Sequence, residues 1–275
     1  MTCKTLLVHL DDSPHSAART GFALDLARRY DAHLIGLYVV CQELTRPIFL
    51  HAEGTWVPTC EMRRNANLKD AQTRFLVAGE RAGLSAEWRA PAGPTVETAI
   101  LHARHADLLI LGQYDPGMAS SYIAHHFVED VVMSSGRPAI VLPYAGTFRS
   151  FGQSVLIAWD GSRESARSMA DALPIIKAAK FVTVMTVQRH PSSGQPAGLD
   201  VAAWLARHGI EAGFADAATA EGISTGALLL NMLSDLHIDL LVMGAYGHAR
   251  IQERLLGGVT ETMLQSMTVP VLMSH

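Results

Sequence analysis

The chain alternates two rhythms of apolar and polar residues. In "SVLIAW" (154–159) β-favouring apolar residues run together over the length of a strand and stop at "DGS" (160–162), a turn and helix-start signal. "RESARSMADALPIIKAA" (163–179) then spaces its apolar positions as a helix does, with Pro174 marking a helix end or kink. "FVTVMTV" (181–187) reads as a strand, "GLDVAAWLARHGI" (198–210) as a helix and "EAGFADA" (211–217) as a short strand. "ISTGALLLNMLSDLH" (223–237) predicts a further helix, followed by a strand over "DLLVMG" (239–244). A glycine-rich segment, a helix over "VTETMLQSM" (259–267) and a last strand "VPVLMS" (269–274) complete the series. Strands alternating with helices imply a mostly parallel sheet covered on both faces, and right-handed crossovers make it doubly wound. Ligands of such sheets sit at the carboxyl ends of the strands, where the winding direction switches. Asp160 and Gly244 both fall at strand carboxyl ends.

The same series occurs twice. "HADLLILGQYDP" (105–116) lies over "HIDLLVMGAYGH" (237–248) at an offset of 132 positions, with six of twelve residues identical. The same offset carries Pro138 onto Pro270. Near the starts of the copies, "LLVHLDDSPHSA" matches "VLIAWDGSRESA", which sets Asp11 on Asp160 at an offset of 149. The first copy therefore carries about seventeen extra residues, and "CQELTRPIFLHAEGTWVPTC" (41–60), which has no clean period, is the expected place for them. A tandem duplication follows, with domains over 1–146 and 152–275 and an insertion near 41–60. An insertion with Phe49, Trp56 and two prolines suits either a lid or a contact surface.

Composition narrows the function classes. At 275 residues, 49% apolar and 17% charged, the chain has the make-up of two globular domains. A net charge of -4 without a Lys/Arg run points away from nucleic acid and membrane surfaces. The longest apolar runs are strand-sized, and Asp11 and Asp12 interrupt the opening where a signal peptide's apolar core should continue, so a cytoplasmic protein is expected. Cys3, Cys41 and Cys60 have no metal-like spacing and read as inert thiols.

The most informative stretch is "MGAYGHARIQERLLGGVTETML" (243–264), where Gly244 is followed by Gly247 and then, after nine residues, by Gly257 and Gly258. The first two bound a turn directly after a strand, where a missing Cβ permits close ligand approach. The second two precede a helix beginning near Val259, whose start presents unpaired N–H groups and a positive dipole end. With the Thr260 hydroxyl, this suits an anion. On spacing alone, a pair of ordinary turns fits as well. The four lysines, Lys4, Lys69, Lys177 and Lys180, lie elsewhere, so there is no G-x4-G-K-[ST] loop. Neither "DDS" nor "DGS" supplies the G-x-G-x-x-G of a dinucleotide fold, and no G-x-S-x-G elbow occurs.

The pattern Gly244-x2-Gly247-x9-Gly257, near the end of a copy opening with "DGS", resembles the universal stress protein family and its nucleotide motif G-x2-G-x9-G-[ST]. The resemblance spans the chain as two copies and implies a tandem-type member. It implies two five-stranded parallel sheets of order 3-2-1-4-5, helices on both faces and pseudo-two-fold symmetry between halves. It also implies ATP, with or without Mg2+, as ligand, Asp160 at the adenosine end and Val187 near the base. Gly244, Gly247 and Gly257 match the three motif glycines, whereas Gly258 stands where Ser or Thr is expected. Gly258 loses a hydroxyl donor but keeps its N–H, while Val259 and Thr260 open the helix. Arg250 and Arg254 read as solvated loop residues or as phosphate contacts.

In the first copy Gly112 persists, but Asp115 replaces the second glycine, and His125 and His126 replace Gly257 and Gly258. An equivalent connection is thus made without the later glycines, which favours a phosphate cradle in the second copy over two turns. The expected function is a stress-response regulatory protein binding an adenine nucleotide in its C-terminal half, read out by a homodimer or a regulatory partner. The alternative is a stress or interaction module that binds no nucleotide. Slow ATP hydrolysis is the least favoured, because no general base or metal cluster follows either first strand, and no catalytic or metal residue is assigned. His102 and His105 read as structural groups near a helix end, and Met232, Met243, Met263, Met267 and Met273 as core.

Overall fold

The computed structural model describes residues 3–40, 56–93, 95–118, 126–146, 148, 150–188, 198–218, 224–247 and 258–275. They form two compact units, Cys3–Ser135 and Gly136–His275.

In the N-terminal unit the strands are β1 (Thr5–Leu10), β2 (His33–Tyr38), β3 (Ala86–Arg89) and β4 (Leu108–Gly112), all parallel in the order β3-β2-β1-β4. Helices α1 (His15–Tyr30), α2 (Trp56–Arg81) and α3 (Val96–Ala103) connect them, and α4 (Phe127–Ser135) follows β4. The chain steps from β1 to β2 to β3 in one direction and returns to β4 in the other. Right-handed crossovers therefore put α1 and α2 on one face and α3 and α4 on the other. In agreement, α1 packs on α2 and α3 on α4.

The C-terminal unit holds β5 (Ala139–Leu142), β6 (Ser154–Trp159), β7 (Phe181–Gln188), β8 (Gly213–Ala218), β9 (Leu240–Gly244) and β10 (Val271–Ser274). Its helices are α5 (Arg163–Asp171), α6 (Leu173–Ile176), α7 (Gly198–Arg207), α8 (Thr225–Asp235) and α9 (Val259–Ser266). Strands β8-β7-β6-β9-β10 are parallel and reproduce the expected 3-2-1-4-5 order. Strand β5 lies beside β10 and runs antiparallel to it, Val141 facing Val271 and Ala139 facing Met273. The compact units thus part before β5, whereas the sequence copies part after it.

Both central strands of this sheet read as continuous apolar runs because helices cover both faces. Leu156, Ile157, Leu240, Leu241, Val242 and Leu272 have no solvent exposure. Pro174 falls in the first turn of α6, which begins two residues after α5 ends, as a proline without an N–H requires. Of the expected insertion, residues 41–55 lie outside the described residues. From Trp56 the chain is already in α2, which has 26 residues against the ten of α7.

The aspartate shared by "HADLL" and "HIDLL" has a structural task. Asp107 Oδ2 accepts hydrogen bonds from the Lys4 and Thr5 N–H groups at 2.8 and 2.9 Å. Asp239 Oδ1 does the same for Gln153 and Ser154 at 2.9 and 3.0 Å. Each carboxylate ties the entry of the first strand to the entry of the fourth. Replacing Asp239 by Ala should therefore lower the stability of the C-terminal unit by about 2 kcal/mol, the scale of losing charge-assisted hydrogen bonds. Asn, which keeps one acceptor, should cost less. Urea unfolding followed by circular dichroism measures both.

Candidate functional site

Register at the entry of β6 and β9 fixes what meets at their exits. Ala158 pairs with Met243 and Trp159 with Thr186. Asp160 follows directly after Trp159, the last residue of β6. Gly161 then turns the chain with φ +78°, a left-handed conformation that glycine adopts without strain. Asp160 Oδ1 accepts from the Ser162 N–H at 2.9 Å. Ser162 caps α5 by accepting from the Ser165 N–H at 3.1 Å. Val187 lies in β7 opposite Ala217 of β8. Gly257, Arg250 and Arg254 lie outside the described residues. Gly258 is the N-cap of α9, with extended backbone and no side chain to accept from the first turn.

The motif glycines have different reasons to be glycine. A Cβ on Gly244 would lie 2.6 Å from the Ser165 nitrogen and 2.7 Å from the Glu164 carbonyl carbon, because α5 begins directly against the end of β9. Gly244 is required by internal packing. Gly247 is less confined: its φ is not positive, and a Cβ there would lie 3.3 Å from Ser162 Oγ and 3.5 Å from Glu164 Oε2. The turn between them is held from α9, since Thr260 Oγ1 accepts from the Tyr246 N–H at 3.2 Å. Tyr246 itself has φ +55°. Thr260 is buried, so its side chain fastens the glycine turn to the first turn of α9. Glu164 is buried beneath this turn at 3% exposure and pairs with the exposed Arg163. Burial opposes its charge. Hydrogen bonds from Arg163 and from its own N–H, with the charges of Arg163 and His275, outweigh that and hold its carboxyl below the usual range.

The corresponding edge of the N-terminal unit is closed by its own side chains. Arg19, on α1 where α5 has Ser168, is buried. Its Nε donates to the His9 carbonyl at 2.6 Å and its Nη2 to Asp11 Oδ2 at 2.7 Å. A Cβ on Gly112 would collide with Arg19 Nη1, so here the space left by the first glycine holds a guanidinium. Burial opposes charge on Asp11, but Arg19, His9 and two Ser13 hydrogen bonds more than offset it and lower its pKa. Asp115, at the position of Gly247, accepts from His15 at 3.0 Å, and His15 occupies the position of Glu164. His9 is buried at the position of Ala158, its ring tilted against that of Phe127 with centroids 4.5 Å apart, and its Nε2 donates to the Val39 carbonyl. Burial pushes its pKa from 6.5 down to about 4, so it is neutral at pH 7. His126 pairs with Glu129 at 2.8 Å, and the His105 Nδ1 bonds the Leu101 carbonyl at the end of α3.

The model of the "Universal stress protein family" matches residues 2–143 and again 153–275. The chain belongs to the universal stress protein family. It carries two tandem domains of that family. Among curated proteins it is 27% identical over 182 residues to Universal stress protein Slr1230 of Synechocystis, a match covering 60% of this chain and 57% of that protein's length. Its fold is similar to a universal stress protein of Archaeoglobus fulgidus, with TM-score 0.73, 18% identity and coverage of 98% of this chain and 95% of that one. A functionally unknown protein of Pseudomonas aeruginosa is similar as well, with TM-score 0.58, 15% identity and coverage of 99% and 92%.

Within this universal stress protein, reading the sequence missed Arg19, His9 and Glu164. The signal for them was the alignment of the two copies: a large cation against Ser168, a histidine against Ala158 and an exchange of charge sign between His15 and Glu164. Each breaks the pattern at a position that packing demands be small or buried.

Two outcomes follow. Gly244→Ala should lower the melting temperature by several degrees, because backbone atoms of α5 would have to move, whereas Gly247→Ala, which presses only on the Ser162 hydroxyl, should lower it less; thermal unfolding separates them. In the N-terminal unit, unfolding lets His9 take a proton that the fold excludes. Stability should therefore fall as pH drops from 6.5 towards 4, by about 3 kcal/mol across the window. His9→Gln should flatten that slope in unfolding measured against pH. The loss from Asp11, whose folded pKa is lowered, belongs below pH 3.8.

Proposed function

We propose that this universal stress protein binds ATP or a related adenine nucleotide at the carboxyl edge of its C-terminal sheet, within a domain spanning residues 152–275. The supporting observation is Gly247. Its φ is not left-handed, and among the described residues a Cβ there would press only on the Ser162 hydroxyl at 3.3 Å, whereas at Gly244 a Cβ would collide with the α5 backbone. A missing Cβ at the end of a turn facing the carboxyl edge suits approach by a ligand. Asp160 and Val187 offer the adenosine end. The starts of Gly258, Val259 and Thr260 offer main-chain N–H groups and the positive end of α9 to phosphate, with Gly257 as the third motif glycine. Thr260 contributes through position, since its oxygen accepts from Tyr246. The N-terminal edge, filled by Arg19 and closed by the His15–Asp115 pair, takes no nucleotide in this reading. Nucleotide binding is then a regulatory signal, passed on through self-association or a protein partner.

Gly258 favours a second reading, a family module that binds no nucleotide, because it removes the hydroxyl expected at the phosphate end. Isothermal titration with ATP distinguishes the two. The first reading expects about one site per chain, weakened at least tenfold by Gly247→Val and also by Asp160→Ala. No heat of binding at millimolar ATP would leave the second reading.

A further inference from the structure

Two strands end the sheets on their outer sides, β3 in the N-terminal unit and β8 in the C-terminal unit, and among the described residues no strand pairs with the free side of either. Register makes their positions comparable. Thr5 pairs with His33 and Ser154 with Phe181, and the strand-entry carboxylates hold Thr5 and Ser154 alike. Further along, Ile35 faces Glu87 and Leu37 faces Arg89, while Thr183 faces Gly213 and Met185 faces Ala215. His33, Glu87 and Arg89 thus correspond to Phe181, Gly213 and Ala215, each trio on one face of its sheet.

The N-terminal edge is guarded by charge. Glu87 accepts from Arg89 Nε at 2.7 Å and pairs with His33 Nε2 at 3.2 Å, so an ionic network lies across the outer strand. Charges on an edge strand oppose the addition of another strand. The C-terminal edge carries none at the corresponding positions. There Phe181 is 70% exposed and Gly213 is exposed, and on the opposite face Phe214 is 44% exposed. The far edge of the same sheet is closed, since β10 is covered by the antiparallel β5. On its outer side β8 therefore offers main-chain N–H and C=O groups flanked by apolar side chains on both faces.

We propose that the free side of β8 pairs with β8 of a second copy of this chain, antiparallel about a two-fold axis at Ala215. An axis perpendicular to the sheet sets one residue opposite its own copy and the others in reciprocal pairs. Centred on Asp216, it would set like charges opposite each other, which destabilises a sheet. Centred on Ala215, two small residues meet on the axis and Gly213 faces Ala217. The same axis on β3 would fall on Arg89 and oppose two guanidinium groups. Two copies of a chain of net charge -4 meet best along a strip without charge, and residues 213–215 supply one. A single strand edge buries little area, so the association is weak and depends on concentration. It does not depend on nucleotide binding.

Sedimentation velocity of the full chain, from micromolar to millimolar concentration, tests this. The native protein should pass from monomer to dimer. Ala215→Arg gives β8 the residue that β3 already accommodates, and should weaken the dimer roughly tenfold or more by opposing like charges. Ala215→Glu should do the same. Mixing the two variants should restore dimers of unlike chains, a rescue that misfolding or a contact elsewhere would not produce. Ala215→Cys should form a disulfide-linked dimer on mild oxidation, because directly opposed residues of antiparallel strands lie about 5 Å apart, whereas Arg89→Cys should not. A native chain that stays monomeric at millimolar concentration would overturn the pairing, as would a dimer that Ala215→Arg leaves unchanged. Loss of the dimer in both charged variants without rescue on mixing would overturn the axis at Ala215.

Discussion

Each sheet depends on one carboxylate at its entry. Asp107 and Asp239 gather two main-chain N–H groups of the first strand and so lock the first and fourth strands in register. Hydrogen-bonded pairing then carries that register up the sheet without slippage, since a one-residue shift would turn every core side chain to the wrong face. At the far end the same register pairs Trp159 with Thr186 and Ala158 with Met243, just before Asp160 leaves β6. The carboxyl edge is thus positioned from the opposite edge, across the buried apolar residues Val155, Leu156 and Ile157.

The turn after β9 combines two kinds of demand. Gly244 answers to the scaffold, because α5 begins where a side chain would project. Thr260 also answers to the scaffold, joining α9 to the turn. Gly247 is less confined, with a Cβ there pressing on the Ser162 hydroxyl and no left-handed φ, and Gly258 has extended backbone at the start of α9. A motif that looks uniform in sequence is therefore divided in structure between residues that build the turn and residues that leave it bare. The first copy makes the same division visible, since it keeps Gly112 and has replaced the others.

Much of this was legible in the sequence. Alternating periods gave the strands and helices, and the repeat gave two copies of one topology with the expected strand order. Spacing suggested ligand approach at Gly244, and the position of α5 adds a packing demand that the sequence did not reveal. Residues such as Arg19 and Glu164 escaped because their significance lies in what sits opposite them in space, a hundred residues away or across a turn. The placement of β5 beside β10 escaped too, because a local apolar run specifies a strand and leaves its neighbour open. Hydrophobic period reports burial. It does not report pairing partners.

The side chains that fill the N-terminal edge interlock. Arg19 is held by Asp11 and the His9 carbonyl, and Asp115 is held by His15. Removing Asp11 alone would leave a buried guanidinium without its counter-charge, and removing Arg19 alone would leave the buried Asp11 carboxylate with only its Ser13 hydrogen bonds. Opening this edge therefore calls for replacing Arg19 and Asp11 together, so the two positions act as one unit in which a change at either is felt at the other.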